Sequence, residues 1–370
     1  MVESESLPHE VVECIMEKLP VKSLLRFKAV SKQWKSTIES PFFKKRQLTH
    51  SHQSGDPVLL MVSEATQEEE TEHLTTLVIG SLSSVKIPTP LDNTHYNLCQ
   101  SSLDGLVCLY RANRTGYVVN PTTRWYRPIP LCGLQQLMTD LRSFFKLGYR
   151  FFMLGFGKDK FMGTYKPVWL YNSLENGTTC EVYDFSTEGW RYVSPSSPCR
   201  ILAGVEPVFF DGSLHWLTEC QETKVVSFDL HTEAFRVLSK APFDNAKACE
   251  VHLCSLDNRL CVSRKSQRNQ VIWSFNSENK TWDKICSVDL HLTYLSCGVG
   301  STCVLSPLAL LHGDKKKKKK KEKEKKLLFY DFDNTRALVT HDLETGSNVV
   351  AFSAEPVGKP VCFFPSLISI

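Results

Sequence analysis

The chain has none of the short signatures that gather catalytic groups. It contains no GxSxG elbow for an activated serine, no HExxH zinc pair, no GxxxxGK[ST] phosphate loop and no GxGxxG dinucleotide turn. Gly155 and Gly157 in LGFGKD form a lone GxG, a pattern too common to indicate phosphate binding. The 14 cysteines include no CxxC pair, so the expectation is scattered, reduced thiols rather than a metal or redox site. No apolar run approaches the roughly 18 residues of a membrane span, and none follows a basic start as in a secretory leader. These absences lead us to expect a soluble, non-catalytic protein of the cytoplasm and/or nucleus, with no cofactor, no metal and no membrane partner.

What is present is enough to build a core. Of 370 residues, 42% are hydrophobic and 11% aromatic, which excludes a disordered chain. The length suits one large domain plus a small one. The formal charge of +4 misleads, because residues 315–326 hold ten lysines and two glutamates and leave −4 on the rest. One tract supplies the basicity, so the composition does not argue for nucleic acid as a partner. The tract reads as a self-repelling loop between two strands, with nuclear import as a secondary role.

Residues 7–46, LPHEVVECIMEKLPVKSLLRFKAVSKQWKSTIESPFFKKR, differ from everything after them and read as three short helices. Val11, Val12, Ile15, Met16 and Leu19 form one apolar stripe at helical spacing. Pro8 suits a first turn, and Leu19-Pro20 stops the helix because proline disfavours helical geometry in the residue before it. Leu24, Leu25, Phe27 and Val30 form a second stripe, and Ser31 is the N-cap of a third helix carrying Trp34 and Ile38. So short a segment cannot bury this apolar surface alone; domains below about 40 residues need a partner or a staple. The second surface is either the chain's own β-domain or another protein. Leu7-Pro8, Leu19-Pro20, VKSLLRFKAVSKQW and the closing SPFF resemble an F-box. The resemblance implies docking on the Skp-type adaptor of an SCF ubiquitin ligase, and through it on a cullin. Matching positions place the adaptor contact on Leu7, Pro8, Leu19, Pro20, Leu24, Val30 and Trp34. The expected boundaries are 5–48 for the F-box and 56–370 for a second domain, with a polar linker over 49–57.

The remainder reads as short strands and turns carrying a weak repeat. CEVYDFSTEGWRYV, KVVSFDLHTEAFRVL, QVIWSFNSENKTWDKI and LLFYDFDNTRALVTH each suggest a strand, an Asp or Asn turn and a returning strand. GYVVNPTTRWYRPI is a shortened copy and TTLVIGSLSSVKIP a fainter one. The turn residues Asn120, Asp184, Asp229, Asn276 and Asp331 lie 64, 45, 47 and 55 residues apart, the last interval holding the lysine tract. A second hairpin signal, DGLVCLY, DGSLHWLTE or DNRLCVSRK, precedes several copies. Two hairpins per ~45 residues make a four-stranded blade, so the expected fold is mainly β, a roughly six-bladed β-propeller behind the helices. PVCFFPSLISI at the C-terminus should close the ring against the strand near Val58 to Met61. The recurring Trp125, Trp190, Phe235 and Trp282 read as packing between blades. Kelch blades would show paired glycines and WD40 blades repeated Trp-Asp endings, and neither pattern is present. DGLVCLY, VVNPTTRWYRPIP, LGFGKDKFMGTYKPVWLY, CEVYDFSTEGWRYV and PVFFDGSLHWLT instead resemble the landmarks, in order, of the plant F-box-associated domain.

The resemblance implies a substrate-recognition subunit that works by proximity, raising the effective concentration of a target near a charged conjugating enzyme. The alternative is an adaptor-bound scaffold or decoy that directs no degradation. A propeller oxidase would need a Tyr and His ligand set on central strands, and the sequence offers only scattered ones. For the unknown protein substrate, the long interval at 131–166 is the expected contact, with Phe144, Phe145 and Tyr149 as candidate anchors.

Overall fold

The computed structural model describes residues 7–54, 58–63, 73–78, 84–88, 96–111, 113–140, 152–173, 177–298, 304–312, 325–331, 337–352 and 360–370. Among these, the N-terminal helices are α1 (His9–Glu17), α2 (Val21–Phe27), α3 (Lys32–Glu39) and α4 (Pro41–Ser54). Four helices therefore stand where three were expected, and residues 49–54 of the expected linker belong to α4. The start signal lies at Ser40-Pro41. The Ser40 hydroxyl accepts the Phe43 N–H at 3.2 Å, and proline at the first helical position loses no bond. Phe43 and Gln47, one turn apart, are buried by this helix. Gly55 and Pro57 of the expected linker, and the phenylalanine-rich 144–149, lie outside the described residues.

Six antiparallel four-stranded sheets follow among the described residues. The first joins β24 (Val361–Phe363) to β1 (Val58–Ser63), β2 (His73–Val78) and β3 (Ser84–Pro88). The second holds β4 (Asn97–Leu98), β5 (Val107–Arg111), β6 (Arg114–Asn120) and β7 (Trp125–Ile129). The third holds β8 (Leu154–Lys158), β9 (Tyr165–Asn172), β10 (Thr178–Asp184) and β11 (Gly189–Tyr192). The fourth holds β12 (Val208–Phe210), β13 (Ser213–Leu217), β14 (Lys224–Asp229) and β15 (Phe235–Lys240). The fifth holds β16 (Val251–Leu256), β17 (Arg259–Ser266), β18 (Asn269–Asn276) and β19 (Thr281–Asp289). The sixth holds β20 (Ser306–His312), β21 (Lys325–Tyr330), β22 (Leu338–Asp342) and β23 (Asn348–Phe352).

Each sheet is an up-and-down meander, and β8, β12, β16, β20 and β24 touch in turn around the middle of a β-propeller. The ring closes as the C-terminal sequence suggested: Val58, Leu59 and Leu60 pair with Phe363, Cys362 and Val361. A separate apolar cluster fills each gap between neighbouring sheets. Tyr110 and Trp169 meet between the second and third, and Leu59, Met61 and Tyr330 between the first and sixth. Trp190 and Trp282 cross such gaps at the rim, their indole N–H groups bonding the carbonyls of Pro130 (2.7 Å) and Lys240 (2.8 Å).

The repeat resolves into one recurring turn. The side-chain oxygens of Asn120, Asp184, Asp229 and Asn276 accept N–H bonds from the residues two, or two and three, ahead. Four residues on, Arg124, Glu188, Glu233 and Lys280 each take positive φ. In the sixth sheet Asp342, not Asp331, holds this place, with bonds to Glu344 and Thr345 and Gly346 at φ 70°. LLFYDFDNTRALVTH thus spans β21 and β22, one strand earlier than its apparent counterparts, because Tyr330-Asp331 mimics the strand end Tyr183-Asp184. The Asp-Gly and Asp-Asn turns at 104–105, 211–212 and 257–258 have positive φ at both residues, as tight hairpins require. Lys325 and Lys326 pair with His312 and Leu311, so the last two lysines of the 315–326 tract are strand residues; 315–324 lie outside the described residues.

His215 on β13 is buried, and its Nε2–H donates to the Phe210 carbonyl at 3.3 Å, leaving the neutral imidazole. Burial depresses its pKa from 6.5 to about 4. The unfolded chain takes up this proton first as pH falls. Stability is therefore complete above about pH 6.5, declines towards pH 4 and loses nothing further from this group below that. Chemical unfolding of wild type and His215→Gln across this window should show a pH-dependent difference of roughly 3 kcal/mol. Parallel stability curves for the two proteins would refute the assignment.

Candidate functional site

The apolar stripe of α1 divides into two. Val12, Met16 and Leu19 turn inward and pack with Val21, Leu24, Ile38 and Phe43. Leu7, Val11 and Ile15, spaced four apart, are 63%, 43% and 50% exposed. A surface helix requires only one apolar face to pack, and among the described residues the outer stripe takes no part in the helical core. Val30 (61%) and Phe42 (65%) are also exposed.

Of the residues expected to meet an adaptor, Leu7, Pro8, Pro20 and Val30 are exposed. Leu19 and Trp34 are partly buried, Trp34 lying 5.3 Å from the Phe27 ring. Leu24 has no exposed surface and holds the helices together instead. Val11, Ile15 and Phe42 are exposed as well but were not among the residues expected there; the Leu7, Val11, Ile15 spacing is the sequence signal that links two of them.

Local bonds keep this surface in shape. Pro8 and Pro20 cap α1 and α2, and the Ser31 hydroxyl accepts the Trp34 N–H at 3.1 Å to start α3, as its sequence position suggested. Arg46 of α4 pairs with buried Glu17 at 2.8 Å and with Glu13 at 3.8 Å, tying α4 to α1. Lys28 pairs with Glu39 at 3.3 Å. Burial, followed by repulsion from Lys28, lowers the pKa of Lys44.

The propeller presents two unlike faces. Strand direction alternates, so the turns between the first and second and between the third and fourth strands of every sheet share the face where the chain enters β1 and leaves β24. The helices sit on this face. Several of its turns are short and pinned: Asp104 accepts from Lys158 (2.5 Å) and Tyr165 (2.5 Å), Lys166 pairs with Glu233 (2.8 Å), and Arg191 bonds Glu233 as well. The longer β20–β21 connection, 313–324, lies outside the described residues. Burial, then the Asp104 charge, raises the Tyr165 pKa, which keeps the phenol protonated.

The opposite face carries the longer connections, with α5 (Gly133–Asp140) between β7 and β8 and α6 (Leu290–Cys297) between β19 and β20. The buried carboxylate of Glu181 accepts the first N–H groups of α5, from Gly133 at 2.8 Å and Leu134 at 3.0 Å, and the Tyr171 hydroxyl at 3.1 Å. It thereby fixes where the 131–166 interval departs. Leu137 on α5, and Leu292 and Leu295 on α6, are exposed.

The middle of the ring is crossed by protein. Gln100, beside the second sheet, bonds the Leu253 carbonyl (2.6 Å) and His252 Nε2 (2.9 Å) of the fifth, on the far side. Gly155 and Gly157 lie on β8, where an added Cβ would come within 2.8 Å of Leu214 and 2.3 Å of Leu230. They permit close sheet packing rather than cradling a phosphate. Among the described residues, no group of three or more His, Cys, Asp or Glu is placed to hold a metal ion, and no helix is long and apolar enough to cross a membrane.

A small helical module with an outward apolar stripe stands before a β-propeller. The F-box domain profile matches residues 4–46, and that of the F-box associated beta propeller domain matches 61–370. An F-box/LRR-repeat/kelch-repeat protein of Arabidopsis thaliana is 60% identical over 377 residues, covering 99% of this chain and 97% of the relative. An F-box protein of the same plant is 45% identical, covering 98% of this chain and 99% of its own length. Another is 47% identical, covering 99% of this chain and 85% of its own. The chain belongs to the F-box proteins that carry an F-box-associated β-propeller domain.

Proposed function

We propose that this protein is the substrate-recognition subunit of an SCF ubiquitin ligase. The helices dock on a Skp-type adaptor, which joins them to a cullin, and the propeller captures the protein to be ubiquitinated. The observation that carries the reading is the outer stripe Leu7, Val11 and Ile15, three large apolar side chains left in water beside a fully formed helical core. Apolar surface of this kind on a well-packed module is what a protein partner covers. Leu7, Pro8, Val11, Ile15, Pro20 and Val30 form the contact, with Leu19 and Trp34 at its edge and Leu24 beneath it.

Substrate capture is assigned to the face opposite the helices, at the connection between β7 and β8 that begins with α5 and whose sequence holds Phe144, Phe145 and Tyr149. Residues 154–158 and 165–166 of the expected 131–166 interval are strand instead. Placing docking and capture on opposite faces lets both partners bind at once. The protein supplies no catalytic group in this scheme; its part is to hold a target near the conjugating enzyme, in the cytoplasm or nucleus.

Affinity capture of the tagged full-length chain from plant cells, with and without proteasome inhibition, tests this reading. A receptor brings down the adaptor together with partners whose ubiquitinated forms rise under inhibition. Capture of the adaptor with partners that never carry ubiquitin would instead establish a scaffold or decoy. Absence of the adaptor would end both readings.

A further inference from the structure

The last five residues, Ser366–Ile370, run between the helical module and the propeller with alternating allegiance. Ser366, Ile368 and Ile370 face the propeller, where both isoleucines pack against the cluster between the second and third sheets. Leu367 points the other way. It is 3% exposed and completes the helical core beside Met16, Val21, Leu24, Ile38 and Phe43. Ser369 accepts a long bond from Lys44 of α4 at 3.5 Å. This two-residue alternation is that of an extended segment with both sides covered.

Two propeller residues hold the segment in place. Asn120, completely buried at the end of β6, gives its amide N–H groups to the Ser366 carbonyl (3.1 Å), the Ser366 hydroxyl (3.3 Å) and the Ile368 carbonyl (2.8 Å). Its amide oxygen serves the turn to Thr122 and Thr123. Gly105, at φ 76°, lies so close that a Cβ there would stand 2.4 Å from the Ser366 hydroxyl and 2.7 Å from the Phe364 carbonyl. The DGLVCLY and VVNPTT landmarks thus meet at one place, and that place is the seat of the C-terminus.

We propose that Ser366–Ile370 is a bracket that fixes the orientation of the adaptor-docking helices on the propeller, with Asn120 and Gly105 as its seat and Leu367 as its anchor. The consequence for ubiquitin transfer rests on the receptor reading above: the bracket sets the direction in which the capture face points relative to the adaptor. Asn120, Gly105 and Leu367 are then positioning residues that touch neither adaptor nor substrate.

Hydrogen–deuterium exchange on the full-length chain without adaptor tests the bracket separately from the receptor reading. Asn120→Asp keeps the oxygen that serves the turn but sets an acceptor against the carbonyls of Ser366 and Ile368. Leu367→Ser leaves the seat intact and removes only the anchor. Amides of α2 and α3 should exchange on the order of tenfold faster in both variants, while β16–β19 stay protected. If Asn120→Asp also unprotects β16–β19, Leu367→Ser alone decides. Wild-type protection of α2 and α3 in Leu367→Ser would overturn the proposal. A wild-type chain that fails to bind adaptor would defeat the receptor reading and leave the exchange result to judge the bracket.

Discussion

Replacing Val11 and Ile15 with aspartate is expected to weaken adaptor binding by at least about 100-fold while leaving the protein folded. Both side chains are half exposed in the free chain, so the substitution removes no core contact. In the complex each would lose the ~1.5–3 kcal/mol of apolar burial and would bring an unpaired carboxylate to a dry interface. The inward stripe Val12, Met16 and Leu19 is untouched, and α1 keeps its ion pairs to Arg46. The measurement is a titration of purified adaptor into the variant, with circular dichroism and thermal melting to confirm the fold. Affinity within about twofold of wild type would remove the outer stripe from the interface.

Trp169→Ala is expected to be the most damaging single change within the propeller, at about 3–5 kcal/mol. Trp169 on β9 is 1% exposed and meets the Tyr110 ring of the neighbouring sheet edge-on, with centroids 5.6 Å apart. Phe156, Tyr165 and Leu154 complete its surroundings. Truncation leaves a cavity between two sheets that hydrogen bonds hold rigidly, so the gap cannot collapse around it. Native proteins have only about 5–15 kcal/mol in reserve, and the variant should unfold at far lower urea than wild type. A loss below about 1 kcal/mol would mean that the second and third sheets do not depend on this cluster.

Much of this organisation was legible in the residues themselves. A Ser before an apolar helical run, Asp-Gly before a strand, and Asn or Asp four residues before a positive φ are local chemistry that the chain carries wherever it folds. Ring closure by PVCFF was legible too, because an unpaired strand near Val58 required a partner. Three features were not. Val11, Val12, Ile15 and Met16 look like one stripe in sequence, and only the position of α4 decides which side is inside. Asp331 and Asp342 both end apolar strands, so the register of the sixth sheet depended on the pairing of Leu327 with His341 and Thr340 with Val349. Leu367 lies more than 320 residues from the helices it completes, and no spacing rule reaches that far. Of the residues proposed for the adaptor contact, Leu7, Pro8, Pro20 and Val30 are exposed, whereas the burial of Leu24 follows from three-dimensional packing alone.

The central claim is that the helical module is a docking site for a Skp-type adaptor. Isothermal titration of the purified adaptor into the full-length chain tests it most directly. The account predicts saturable one-to-one binding at about micromolar Kd or tighter, with the negative heat-capacity change that burial of apolar surface produces. Absence of saturable binding up to about 100 micromolar adaptor, with the chain folded, would contradict it.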